Sequence, residues 1–338
     1  MSKQNYKYPQ SFSLENGESL PELDIAYHTY GSLNQKKSNV IWICHALTAS
    51  SDAADWWNGL VGDKKAFDTT KYFIVCANIL GSCYGSSGPL SVNPATGEKY
   101  YSSFPQVTIR DMVNAHIILR KQLGIEKIAI GVGGSMGAYQ LLEWAVIEPK
   151  LFQRQILMNT SARESAWGIA IHTAQRLAIE ADATWKYLAD DAGSKGLKAA
   201  RAIGMLTYRN YATFAQQQTD DEDQKLDNYK ASSYIHHQGD KLVSRFNAYC
   251  YWILSKAMDS HNLSRNRKKM EVVLKSIRAK VLVTGISSDI LCPNIEQKYI
   301  TKNIPKSSLR IIDSSYGHDG FLIEWEKLTK VINAWMKK

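Results

Sequence analysis

Five residues near the middle of the chain, Gly133-Gly134-Ser135-Met136-Gly137, constrain the fold more than any other stretch. The run before them, Lys127-Ile128-Ala129-Ile130-Gly131-Val132, is apolar and rich in β-branched side chains, which predicts a buried strand. The run after them, Ala138 to Ile147, lacks Pro and Gly and places Leu141, Leu142, Ala145 and Val146 at helical spacing. A bare G-x-S-x-G is a weak signal. Between a strand and a helix it becomes a sharp turn that strains the serine backbone and lifts the hydroxyl clear of the sheet edge. Small flanks at Gly133 and Gly137 let strand and helix approach closely. Ser135 is therefore the candidate nucleophile.

A serine hydroxyl needs a base to take its proton. Of the eight histidines, His318 is the best placed, in Tyr316-Gly317-His318-Asp319-Gly320, after the last predicted strand and before the last predicted helix. A carboxylate must hold the imidazole tautomer and stabilise the imidazolium. Asp289, in Ser287-Ser288-Asp289-Ile290-Leu291, follows the strand ending at Thr284, and Asp313 is the runner-up near a strand end. Ser135, Asp289, His318 is the chain order expected of an α/β-hydrolase. The oxyanion donors expected from that geometry are the amides of Met136 and of Leu47, the latter on the loop after the strand Asn39–Cys44. His172 fits a helix face, His236-His237 read as polar helix-junction residues, and His45 ends a strand beside the site. No H-E-x-x-H or Cys/His cluster suggests a metal.

The remaining chain alternates strand and helix patterns. Residues 11–14 and 23–29 read as two strands closed by the turn Glu15-Asn16-Gly17-Glu18, and Tyr72–Ala77 as another strand. Gly81 to Pro89 reads as a shaped loop, since it lacks P-loop and dinucleotide spacing. Thr108 and Asp111 form a capping-box pattern at the start of a helix. From about Ala162 to Met270 β-branched runs give way to helical stretches, and strand patterns return at Ile277–Thr284 and Ser308–Ile312 before a closing helix at 322–336. This predicts an α/β fold with a mostly parallel central sheet, in three segments: core residues 1–161, a helical lid over 162–275, and core residues 276–338.

Composition narrows the function class. A chain of 338 residues with 44% hydrophobic and 22% charged residues suits a globular protein. Its net charge of +9 is scattered, with local runs only at Arg265–Lys275 and Lys337-Lys338. That favours solubility and attraction for an anionic small molecule over a nucleic-acid surface. The five cysteines form no C-x-x-C pair, and no apolar run resembles a signal peptide or membrane span. A cytoplasmic location, with no membrane and no nucleic-acid partner, is expected.

Several stretches together resemble the homoserine O-acetyltransferase family. They are His45-Ala46-Leu47-Thr48-Ala49-Ser50, Gly85-Ser86-Ser87-Gly88-Pro89 with Asn93 to Gly97, Val107 to Val113, and Gly133 to Gly137 with Glu143-Trp144-Ala145. Leu206-Thr207-Tyr208-Arg209, Ala257 to His261, Ser288 to Pro293 and Gly317-His318-Asp319 continue the match in order. The resemblance implies an α/β-hydrolase core with a helical lid, a homodimer joined through the lid, and acetyl transfer from acetyl-CoA to the hydroxyl of L-homoserine through an acyl-serine. Acetyl-CoA would be a co-substrate, with no permanently bound cofactor. The resemblance puts nucleophile, acid and base on Ser135, Asp289 and His318, and marks Arg209 and Asp319 as contacts for the amino-acid substrate. Succinyl transfer, serine as acceptor, and an esterase or thioesterase of the same fold are the alternatives. One departure is Ala138-Tyr139, where the family usually has a second glycine and then Met or a similar residue; it is expected to alter the pocket.

Overall fold

The computed structural model describes residues 3–338. Eight strands form one sheet. In chain order these are β1 (Gln4–Tyr8), β2 (Leu23–Tyr30), β3 (Val40–Cys44) and β4 (Phe73–Ala77), then helix α1 (Ile109–Gln122). Next come β5 (Ile128–Gly134), α2 (Met136–Ile147) and β6 (Phe152–Met158). Helices α3 (Ala166–Glu180), α4 (Ser194–Tyr208), α5 (Tyr211–Gln218), α6 (Lys230–Val243), α7 (Ala248–Asp259) and α8 (Met270–Lys275) follow. The chain closes with β7 (Lys280–Ile286), α9 (Asn294–Asn303), β8 (Ser307–Ile312) and α10 (Trp325–Met336). The sheet order is β1-β2-β4-β3-β5-β6-β7-β8, with β2 antiparallel to both neighbours and β3 to β8 parallel.

Both faces of the sheet are covered, which is why β3 is a continuous apolar run. Val40, Trp42 and Cys44 pack with Met112 and Val113 of α1 and with Leu141 and Trp144 of α2. Ile41 and Ile43 point the other way, into a cluster with Trp57, Phe321, Ile332 and Trp335. Each such side chain taken fully from water contributes roughly 1.5–3 kcal/mol before chain entropy is counted. The predicted cap of α1 is present: Thr108 accepts from the Asp111 amide and Asp111 accepts from the Thr108 amide at 2.8 Å. The sheet carboxyl ends and the first turn of α2 meet at one rim, the position at which open α/β sheets present ligand sites.

Three sequence expectations are corrected. The predicted strand 11–14 shrinks to Phe12–Ser13 and pairs with Ser19–Leu20, while β2 pairs with β1, which was not anticipated. β1 reads QNYKY and no residue in it is fully buried, so an edge strand of this kind carries little apolar signal. His236 and His237 lie inside α6 and are exposed, not at a junction. Only Gly239 and Leu242 of that helix are buried, and most of its residues are polar, so the stretch reads as a polar gap. The closing helix is split, with Gly320–Ile323 separate from α10.

Candidate active site

The turn between β5 and α2 is strained as its sequence demands. Ser135 has φ 53° and ψ −127°, a region that a non-glycine residue holds only when its surroundings enforce it, at about 1–3 kcal/mol. Its amide donates to the Met158 carbonyl at 2.9 Å, tying the turn to β6. A Cβ on Gly133 would lie 2.6 Å from the Gly137 backbone, and one on Gly137 would overlap the Cys44 carbonyl. Both glycines are thus required by close approach of β5, α2 and the end of β3.

His318 sits on a single turn, Gly317–Asp319, after β8. Its Nδ1–H donates to Asp289 Oδ2 at 2.8 Å, and both residues are buried. Asp289 is held on every side. Oδ1 accepts from the amides of Leu291 and Cys292 at 2.9 Å each, and Oδ2 accepts from Asn159 Nδ2 at 2.9 Å. Burial works against a charged imidazole here. The charge and hydrogen bond of Asp289 outweigh it and hold the His318 pKa above the ordinary histidine value. The other ring nitrogen, Nε2, is buried and has no hydrogen-bond partner among the described residues. His318 lines the same cavity of about 510 Å³ as Ser135. Ser135 Oγ makes no hydrogen bond to Nε2 in this state; such contacts commonly tighten when substrate arrives.

Leu47 lines the same cavity, and Met136 is the first residue of α2. Among the described residues neither amide donates to a protein acceptor. Two free N–H groups beside the serine are what a developing oxyanion requires. The loop carrying Leu47 is held by His45. Its Nε2 accepts from the Ile79 amide at 3.1 Å and its Nδ1–H donates to the Ala46 carbonyl at 2.9 Å. Complete burial pushes this imidazole down to about 4, so it is neutral and structural.

Asp319 lines the cavity, and Arg209, just after α4 and not itself in the lining, reaches it with Nη2 3.5 Å from Asp319 Oδ2. Burial raises the Asp319 pKa, opposed by Arg209, Arg201 and His318. Arg201 was not anticipated. It reaches the cavity from α4, lies 5.4 Å from the Tyr208 ring centre, and keeps its buried Nε without a partner. The seven-residue spacing of Arg201 and Tyr208 on one helix face was the available signal. Asn159 was also missed; an Asn directly after an apolar strand, here with φ 48°, is a residue suited to a left-handed exit.

Other candidates fall outside. Asp313 is exposed and accepts from Ser287 Oγ at 3.0 Å. His172 donates to Asp259 at 2.9 Å inside the helical segment. Ala138 and Tyr139 do not line the cavity. Tyr139 is buried under the site with its ring 3.9 Å from that of His261 and its hydroxyl donating to Glu164 at 3.0 Å. In the Gly81–Pro89 loop, Ser86 Oγ donates to the Asn78 carbonyl and the Ser87 amide to that of Asp24, so the loop is an internal brace. Of the basic run, Arg265 pairs with Glu15 and Arg267 with Glu143. A larger groove of about 740 Å³ lies at the opposite, amino end of β7 and β8, lined by Arg278, Lys280, Lys306, Arg310 and Lys330 among others; it holds no nucleophile–base pair.

A family model described as alpha/beta hydrolase fold matches residues 39–324. A homoserine O-acetyltransferase of Cyclobacterium marinum is 49% identical over 334 residues, covering 99% of this chain and 95% of that protein. The crystal structure of a homoserine O-acetyltransferase from Bacillus anthracis superposes with a TM-score of 0.93 at 24% identity, covering 100% of this chain and 98% of that one. Esterase E22 superposes with a TM-score of 0.88 at 24% identity, covering 98% of each chain. Those two structural likenesses speak for the fold; the sequence likeness speaks for the family.

Proposed function

The chain belongs to the homoserine O-acetyltransferase family, built on the α/β-hydrolase fold, and from that premise we infer a two-step transfer of acetyl from acetyl-CoA to the hydroxyl of L-homoserine. Neutral His318 takes the Ser135 proton through Nε2 as Oγ attacks the thioester carbon. The oxyanion is held by the Leu47 and Met136 amides, each such donor being worth on the order of 3 kcal/mol in the transition state. The tetrahedral species collapses, the C–S bond breaks, and imidazolium His318 returns its proton to the departing thiolate. In the second half His318 takes the homoserine hydroxyl proton, the alkoxide attacks acyl-Ser135, and Ser135 regains its proton. The observation that carries this reading is the His318–Asp289 pair, with its unengaged Nε2 in the cavity of strained Ser135.

Arg209 and Asp319 are the proposed amino-acid contacts: the guanidinium for the α-carboxylate, the carboxylate for the α-ammonium. Their 3.5 Å separation is loose enough to open around a zwitterion. Residues 162–275 act as the lid that keeps water from the acyl-enzyme. We read the lid also as the seam of a homodimer. Trp167, Leu177, Tyr187, Leu206, Tyr211 and Leu226 are large, apolar and exposed on it, with Leu226 92% accessible. No helix of the described residues is long and apolar enough to cross a membrane, and five free cysteines suit the cytoplasm proposed here.

The test is incubation with acetyl-CoA or succinyl-CoA against homoserine, serine and water, following free thiol and product. Expected are O-acetylhomoserine, ping-pong kinetics and an acetyl adduct on Ser135 by mass spectrometry. A sequential pattern without the adduct overturns the mechanism, and product with water alone turns the reading to an esterase.

A further inference from the structure

The donor in the proposed reaction carries its charge far from its reacting carbon. A thioester on an apolar arm ends in a phosphorylated nucleotide, whose phosphates lie at the far end of that arm from the carbon that Ser135 attacks. Resting on that reading of the reaction, we propose that Lys241 and Arg245, where the lid borders the cavity, form the phosphate subsite for the donor's coenzyme A.

Both side chains line the Ser135 cavity, yet both residues are exposed, which places them at its rim. Their charges are uncompensated. Neither belongs to an ion pair among the described residues, although the neighbouring Asp240 is paired with Lys198 at 2.6 Å. Arg245 is oriented entirely by neutral groups. Its Nη1 donates to the Thr48 carbonyl at 2.6 Å and to Tyr84 Oη at 2.8 Å, and Nη2 reaches Thr48 Oγ1 at 3.5 Å. The guanidinium is thus fixed in direction while its Nε carries no hydrogen bond among the described residues. A preoriented Arg beside an exposed, unpaired Lys suits a phosphate, which accepts from several donors at once. Ala46, Trp56 and Leu322 of the same lining supply apolar wall for the arm between rim and serine.

The placement has a consequence for the chemistry. Thr48 follows Leu47, so the residue that reads phosphate also braces the loop that presents an oxyanion donor. Arg245 is in this sense a positioning residue as well as a binding one.

The experiment compares acetyl-CoA with S-acetyl-N-acetylcysteamine, a thioester without phosphates, in wild type, Lys241→Gln, Arg245→Lys, and the double variant Lys241→Gln/Arg245→Gln. The double variant is expected to raise KM for acetyl-CoA roughly tenfold or more, the scale of losing charge-assisted hydrogen bonds. Loss of the Thr48 brace in that variant should lower kcat for both donors alike, so the subsite is read from the ratio of the two KM values, which should still shift roughly tenfold against acetyl-CoA. Lys241→Gln alone makes no change to the Thr48 brace and should give the same selectivity at smaller size. Arg245→Lys keeps the charge and should retain much of the preference for acetyl-CoA. Added salt should raise wild-type KM for acetyl-CoA only. An unchanged ratio of the two KM values, in the double variant and in Lys241→Gln, overturns the subsite while leaving the reaction standing. A wild-type enzyme that makes no O-acetylhomoserine from acetyl-CoA overturns the reaction itself.

Discussion

The two walls of the active cavity are built on different principles. On the core side, geometry is imposed by the backbone. Gly133 and Gly137 leave room for nothing larger, Ser135 is locked at positive φ, and Asp289 is gripped by two amides, Asn159 and His318. On the lid side, Arg201 from α4, Lys241 from α6 and Arg245 from the turn after α6 arrive on long side chains. In the proposed reaction the core wall makes and breaks bonds and tolerates no displacement, while the lid wall recognises what is brought there. Substitutions should therefore separate into those that lower kcat and those that raise KM.

The largest effect belongs to the core wall. Asp289→Asn should lower kcat on the order of 10⁴-fold by releasing the imidazole tautomer, with thermal unfolding little changed. The same variant tests the electrostatics. In wild type the acidic limb of kcat/KM should lie above the ordinary histidine value of about 6.5, because Asp289 favours the protonated ring and the base must be neutral to act. Removing that charge should move the limb to lower pH. An unmoved limb would mean that another group titrates.

On the lid wall, Arg209→Ala should raise KM for homoserine by roughly 10- to 100-fold, as expected for a lost charged hydrogen bond, while acylation of Ser135 by acetyl-CoA alone continues. Equal loss of acylation would erase the division between the walls.

The smallest expected effect lies where the walls are joined. Arg267 and Arg110 both pair with Glu143 of α2, at 2.5 and 2.7 Å. Arg267→Met should cost about 1–2 kcal/mol in urea unfolding, allowing for partial exposure of the arginine, with kcat retained. Burial opposes ionisation of Glu143, but the two arginines outweigh it and depress its pKa. Its contribution to stability is present above the unfolded carboxylate value and is lost as pH falls through the depressed one. In the variant that acid loss should begin at higher pH.

How much of this was legible follows the same division. The elbow and the capping box at Thr108 are short-range patterns that can be read along the chain, and Asp289 and His318 were each legible as candidates on strand-end loops in the expected order, though not their convergence on Ser135. The edge strand β1 and helix α6 could not be, since each shows the core too few apolar residues to mark a period. Arg201 carried only its spacing from Tyr208, and Arg245, in the turn after α6, carried no local mark; an arginine looks the same in sequence whether it meets solvent or a cavity.

What the sequence alone determined is the strained serine turn and the family pattern around it, because a close backbone approach excludes every residue but glycine at two positions. What only the tertiary structure decided is the company that serine keeps. The carboxylate 154 residues downstream, the imidazole beyond it and the lid cations converge through packing across a sheet whose strand order differs from chain order, and no local rule encodes distances between segments that far apart.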